Sequence, residues 1–179
     1  MRIALCIGHN SIAQGAHSPF LGTTEYLFNT RVAALVQEKL PGVEIFTRKW
    51  QNSYTKEITE LAERVNSKKF DLAVELHFNS SITGANGVEA LYFHKSKTGL
   101  LMAESFCETI VMEYGSKDRG AKPLSSTTQN GFGFVQKMKA PAIILEPFFG
   151  SNSEAQNFIN IERYANAIVS WINCNLIVM

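Results

Sequence analysis

Apolar residues in this chain fall into short unbroken runs, separated by longer stretches in which they recur every three or four positions. The runs are Ile3-Ala4-Leu5-Cys6-Ile7, the stretch from Phe70 to Leu76, residues 88–93 and Ala142-Ile143-Ile144-Leu145. Runs of this length bounded by Gly, Asn or Pro fit strands buried on both faces. Val43-Glu44-Ile45-Phe46-Thr47 alternates instead, as a half-buried strand does. Helical spacing fills the gaps. Thr23 or Thr24 can cap a helix with Glu25 in its first turn. Its expected apolar side is Leu27, Phe28, Ala34, Leu35 and Leu40, and Pro41-Gly42 ends it. Thr55 can cap a second helix, in which Ile58, Leu61, Ala62 and Val65 share a side. Ala103, Cys107, Ile110, Val111 and Tyr114 mark a third that stops at Gly115. Ile161, Ala165, Ile168, Val169 and Ile172 mark the last. Residues 11–22, 80–87 and 116–133 read as loops. Strands alternating with helices predict an α/β fold: a three-layer sandwich with a twisted, largely parallel sheet and helices on both faces. With no repeat and no linker, residues 1–179 are expected to form a single domain. The apolar ending Leu176-Ile177-Val178-Met179 reads as a segment that docks on the body.

Composition narrows the partners. Charged residues make up 18% of the chain and the formal net charge is +1. That is no basic surplus of the kind that binds nucleic acid. No stretch approaches the roughly 20 apolar residues of a membrane span, so no membrane insertion is expected. Cys6, Cys107 and Cys174 are odd in number and far apart, which is not a disulfide framework and suits a reducing compartment. Met1-Arg2 leads directly into the first strand, so a chain made in the cytoplasm without a signal peptide is expected.

The candidate chemistry lies where the apolar runs end. Gly8 lets the backbone turn and leaves His9 after the first run. His77 closes the run from Phe70, with Asn79 two residues on, and Glu146 closes the run from Ala142. If these strands are parallel neighbours, all three side chains emerge at one edge of one sheet, where open α/β sheets bind ligands. Glu25 opens the helix that follows the first strand. Two imidazoles and a carboxylate suit Zn²⁺ with a fourth position open, and a further carboxylate can then move protons. Ala73, Glu75 and His77 share one face of their strand.

These pieces resemble the zinc-dependent N-acetylmuramoyl-L-alanine amidases of bacterial autolysins and phage endolysins. The resemblance runs in order along nearly the whole chain. It begins with Gly8-His9, then Glu25 with Asn29 one turn later, Thr47-Arg48 and Asn66. Leu76-His77-Phe78-Asn79, Gly87-Val88-Glu89 and Arg119-Gly120-Ala121-Lys122 follow. Pro141 to Glu146, with Ser151-Asn152 shortly after, completes it. It implies one Zn²⁺ per chain held by His9, Glu25 and His77, with Glu146 as the catalytic carboxylate. Asn29, Glu75 and Asn79 are then candidates for supporting the site or lining the substrate groove. The implied substrate is peptidoglycan, cut at the amide between N-acetylmuramic acid and L-alanine. With no separate cell-wall-binding domain expected, the implied setting is an endolysin or prophage enzyme that acts on the wall after release. Glu75 departs from the family pattern, in which serine is usual at this position. It reads equally as a partner of His77 that alters the local charge or as a solvated or hydrogen-bonded carboxylate. His17 and His94 match no family position and read as surface histidines, with His17 able to border the cleft. Glu89 reads as either supporting or exposed, and the loop 125–133 as a border of the groove. Two other functions suit the same fold: a zinc peptidase cutting another amide, and an inactive wall-binding module.

Overall fold

A computed structural model of the chain describes residues 1–82 and 84–175. The apolar runs form the strands β1 (Ile3–Ile7), β4 (Val43–Thr47), β5 (Leu72–Leu76), β6 (Val88–Phe93) and β8 (Ala142–Glu146). The helices are α1 (Glu25–Lys39), α2 (Tyr54–Asn66), α3 (Lys97–Tyr114) and α5 (Ile161–Cys174). These five strands fall within the expected strand segments, β8 running one residue further, to Glu146. The expected docking of residues 176–179 lies outside the described residues.

The six-stranded sheet has the order β4-β1-β5-β8-β6-β7, where β7 is Asp118–Leu124. β4, β1, β5 and β8 are parallel neighbours, while β6 runs antiparallel to β8 and parallel to β7. Every residue of β1 and β5 is buried, because both strands are central and covered on both faces. Helices α1, α3 and α5 cover one face. There Leu5, Val74, Leu76, Ile143 and Leu145 pack on Phe28, Phe106, Ile168 and Trp171. Helix α2 and the short α4 (Phe132–Lys137) cover the other, packing on Ala4, Cys6, Ala73 and Ile144. This is the expected three-layer sandwich.

Four local expectations change. The buried stripe of α1 is Glu25, Phe28, Asn29, Val32, Ala33 and Val36; Leu27 and Ala34 face outward. Two polar residues occupy the buried side, so an apolar count places the stripe wrongly. Thr24 is the cap of α1, and its side chain accepts from the Leu27 amide. Helix α2 starts after Ser53, two residues earlier than a cap at Thr55 would place it. The presumed loop 116–133 contains β7 and the start of α4. β7 is an edge strand of exposed and half-buried residues with only Leu124 buried, holding Pro123 and a glycine, and so carries no apolar signature. The loop 11–22 contributes β2 (His17–Ser18), which pairs with β3 (Thr23–Thr24) in a small hairpin.

Candidate metal centre and active-site cleft

β1, β5 and β8 are adjacent and parallel, so their C-terminal ends lie side by side. His9, His77 and Glu146 therefore meet at one edge, beside a cleft of about 790 Å³ that all three line. Two close approaches build the floor. The Gly8 amide donates to the Leu76 carbonyl at 2.9 Å. A Cβ on Gly8 would stand 2.5 Å from the His77 ring, so only glycine lets β1 and the imidazole come together. A Cβ on Gly15 would meet His9 and Glu25 at 2.5 and 2.7 Å, and its φ of +76° also requires glycine. His9 itself adopts φ 67°, an uncommon conformation for a side-chain-bearing residue, held by the turn that follows. In that turn Asn10 Oδ1 accepts from the Ile12 and Ala13 amides at 3.0 and 2.8 Å.

Glu25 reaches the site from the first turn of α1 and is buried. One oxygen lies 2.7 Å from His77 Nδ1 and accepts from the Phe78 amide at 3.1 Å. The other lies 3.1 Å from His9 Nε2 and accepts from the Ala16 amide at 3.3 Å. Ligand atoms of His9, Glu25 and His77 all fall within 4.8 Å of one another. Burial alone would push the Glu25 carboxyl up, but the two imidazoles outweigh it and hold the group far below the usual carboxylate range. Burial alone would push His77 down, yet Glu75 and Glu25 together raise it well above an ordinary histidine. Two nitrogens and one carboxylate oxygen, delivered by three separate elements into an open cleft, are a donor set that fits a catalytic zinc ion.

Glu146 stands at the end of β8 with Oε2 buried and without a hydrogen-bond partner among the described residues. Desolvation raises its pKa to about 8; His77 opposes this, and the carboxylates of Glu25, Glu89 and Glu75 add to it. Phe148, two residues on, is fully buried and stacks on Phe78 and Phe158, which fixes the chain beyond the strand.

The remaining candidates divide. Asn79 lines the cleft and donates to Glu89 at 2.6 Å. Glu89 is buried, opposite Glu146 in the antiparallel β6–β8 pair, and accepts from Arg119 at 2.7 Å. Glu75 is fully buried on the His77 face of β5, with Arg48 beside it, and is therefore no solvated carboxylate. Burial pushes its carboxyl up, but Arg48 and then His77 bring it below the ordinary value. Asn29 is buried on α1 and does not line the cleft, and its amide has no partner among the described residues. His17 and His94 are exposed and away from the cleft. Of the loop 125–133, Asn130 and Gly131 line the cleft. The cleft is also lined by Arg48 of the Thr47-Arg48 pair and by Asn10, Tyr54 and Glu57, which the reading of runs and caps missed. Asn10 Nδ2 donates to Glu57 at 3.2 Å, tying the His9 turn to α2. Only the position of Asn10 directly after His9 could have flagged it.

An α/β sandwich with a His-Glu-His cluster and a half-buried carboxylate at the strand ends has the form of a metal-dependent hydrolase. Residues 3–174 match the family model described as N-acetylmuramoyl-L-alanine amidase, and the chain belongs to that family. Its fold is similar to the catalytic domain of CD27L endolysin targeting Clostridia difficile, with a TM-score of 0.81 and 25% identity, covering 97% of each chain. It is also similar to an N-acetylmuramoyl-L-alanine amidase from Clostridium difficile 630, with a TM-score of 0.76 over 98% of this chain and 96% of that one. The 23% identity there speaks for the fold alone. A curated relative, the uncharacterized protein YqiI of Bacillus subtilis (strain 168), is 25% identical over 123 residues. That match spans 65% of this chain and 56% of the relative, little more than half its length. Among the described residues no helix is long and apolar enough to cross a membrane.

Proposed function

We propose that this chain is a zinc-dependent amidase that hydrolyses the bond between the lactyl group of N-acetylmuramic acid and the L-alanine of the stem peptide in peptidoglycan. The observation that carries the reading is the gathering of His9, Glu25 and His77 in one cleft with the Oε2 of Glu146, which has no hydrogen-bond partner among the described residues. His9, Glu25 and His77 would hold one zinc ion per chain. Zinc, when bound, supplies a Lewis acid that polarises a carbonyl and makes water more acidic. Glu146 takes the proton from the attacking water and returns it to the departing amine. A carboxylate whose desolvation lifts its pKa toward neutrality suits both halves of that exchange. The Phe78–Phe148 stack keeps its strand end rigid. Membership of the amidase family and the likeness to an endolysin catalytic domain support action on the cell wall in a lytic setting.

The test is metal analysis of the purified protein combined with product analysis on muropeptides. The wild type should carry about one zinc. His77→Ala should lose it and His94→Ala should keep it. Glu146→Gln should keep zinc and native melting, and lose roughly 10²–10⁴ in rate. Equal zinc in the two histidine variants, or cleavage within the peptide rather than at the muramic acid amide, would overturn the reading.

A further inference from the structure

His77 presents two nitrogens to two different carboxylates. Nδ1 lies 2.7 Å from Glu25 Oε1, inside the metal cluster, and Nε2 lies 3.2 Å from Glu75 Oε2, outside it. Glu75 is held in place from every side. Its register partners are Cys6 on β1 and Ile144 on β8, so it sits in the middle of the parallel sheet and cannot swing toward solvent. It shares a face with His77 because the two are separated by one residue of the strand.

Arg48, at the end of β4, balances its charge. The two side chains are 4% and 1% exposed, and Arg48 lies over the ring of Tyr54 at 5.5 Å. The pair is not built as a hydrogen-bonded salt bridge, however. Arg48 Nε stands 3.6 Å from Glu75 Oε1, beyond hydrogen-bond length, and both atoms lack a hydrogen-bond partner among the described residues. A buried ion pair kept for stability alone would need those bonds. The closer approach that Glu75 makes is to the histidine.

We propose that Glu75 is a positioning residue for the metal centre: it accepts a hydrogen bond from Nε2–H of His77, holds the proton on that nitrogen, and so leaves Nδ1 unprotonated and aimed at the site shared with His9 and Glu25. Arg48 acts one step further out, as the buried countercharge beside Glu75 within the sheet. The inference rests on the zinc reading above and names the residue that sets the tautomer of one ligand. Carboxylate partners of ligating histidines commonly contribute 10–100-fold in metal affinity by fixing the ring and raising its basicity.

The experiment uses the full chain loaded with zinc alone. Long-range ¹H–¹⁵N spectra of the imidazoles, with His77→Ala assigning the signal, report which nitrogen of His77 carries the proton. The Nε2–H form is expected, and an Nδ1–H form would overturn the proposal without any change at Glu75. Zinc affinity is then measured by competition with a chromophoric chelator for Glu75→Gln and for the paired variant Arg48→Met/Glu75→Leu. The paired variant leaves no unpaired charge buried and so keeps the test open if Glu75→Gln does not fold. Both should bind zinc about 10–100-fold more weakly than wild type. The metal-free paired variant should melt near the wild-type temperature. Wild-type zinc affinity in every variant that folds would reduce Glu75 and Arg48 to a structural pair. Failure of the zinc reading itself looks different: His77→Ala would then bind zinc as the wild type does.

Discussion

The face of the sheet under α1, α3 and α5 is packed with aliphatic and stacked aromatic side chains. The face under α2 and α4 carries smaller apolar residues and, toward the strand ends, Glu75, His77, Glu89 and Glu146. The first face is closed along its length by three helices of 14 to 18 residues. The second has one helix of 13 residues and one of 6, which leaves the C-terminal ends of β1, β5 and β8 open to the cleft. The difference is one of solvation. In the proposed function these charged groups exchange protons and bind an ion, which needs water nearby, whereas strands need a dry side to be stable. Alternation along each strand lets one backbone serve both. His77 turns into the cleft while Phe78, the next residue, turns down to pack on Phe28 and Phe148.

If the two faces are separable, damage to the dry one should cost stability and leave the metal site intact. Phe158 stacks on Phe148 at 4.3 Å and on Tyr114 at 4.2 Å, and is fully buried. Phe158→Ala should lower unfolding stability by about 3–5 kcal/mol in denaturant titration. Zinc affinity measured on the folded fraction should stay within a few-fold of wild type. A parallel collapse in affinity would show that the aromatic layer sets the strand ends and that the faces are one unit.

The cleft face should in turn respond to pH where the dry face does not. In the metal-free protein Glu75 and Glu25 favour protonated His77 and overcome its burial, raising its pKa to about 10. That contribution to stability is fully present below the unfolded value of ~6.5 and fades as pH rises through the folded value. The metal-free melting temperature should therefore drift down from neutral pH toward pH 10. Zinc must displace that proton, so its affinity should rise about tenfold per pH unit between pH 6 and 8. A pH-independent zinc affinity would mean that His77 is already neutral before the metal arrives.

The smallest effect is expected at the rim. Gln129 Oε1 accepts from the Ser125 and Ser126 amides at 2.7 and 3.0 Å and so shapes the loop that brings Asn130 and Gly131 to the cleft. Gln129→Ala should cost about 1 kcal/mol in thermal unfolding, the value of a typical hydrogen bond. Turnover on intact peptidoglycan should fall less than tenfold. No change in either would make this loop an incidental border.

Sequence alone determined the buried strands of the sheet and where they end. Burial on both faces demands unbroken apolar runs, and those runs are visible without coordinates, so His9, His77 and Glu146 stood out as the polar residues that stop them. It also narrowed the start of α1 to Thr23 or Thr24 ahead of Glu25, and the structure selects Thr24. Periodicity failed wherever a polar residue was buried for a non-local reason. Glu25 and Asn29 displaced the apparent stripe of α1, and β7, an exposed edge strand, hid in a polar stretch. Tertiary structure alone decided the rest. Strand order placed three ends side by side, and β6 turned antiparallel and set Glu89 against Glu146. The burial of Glu75 with Arg48 depends on contacts 27 residues apart in the chain (75 − 48). No local pattern encodes such a pair, because the cost of burying each charge is offset only when the sheet has brought the other beside it.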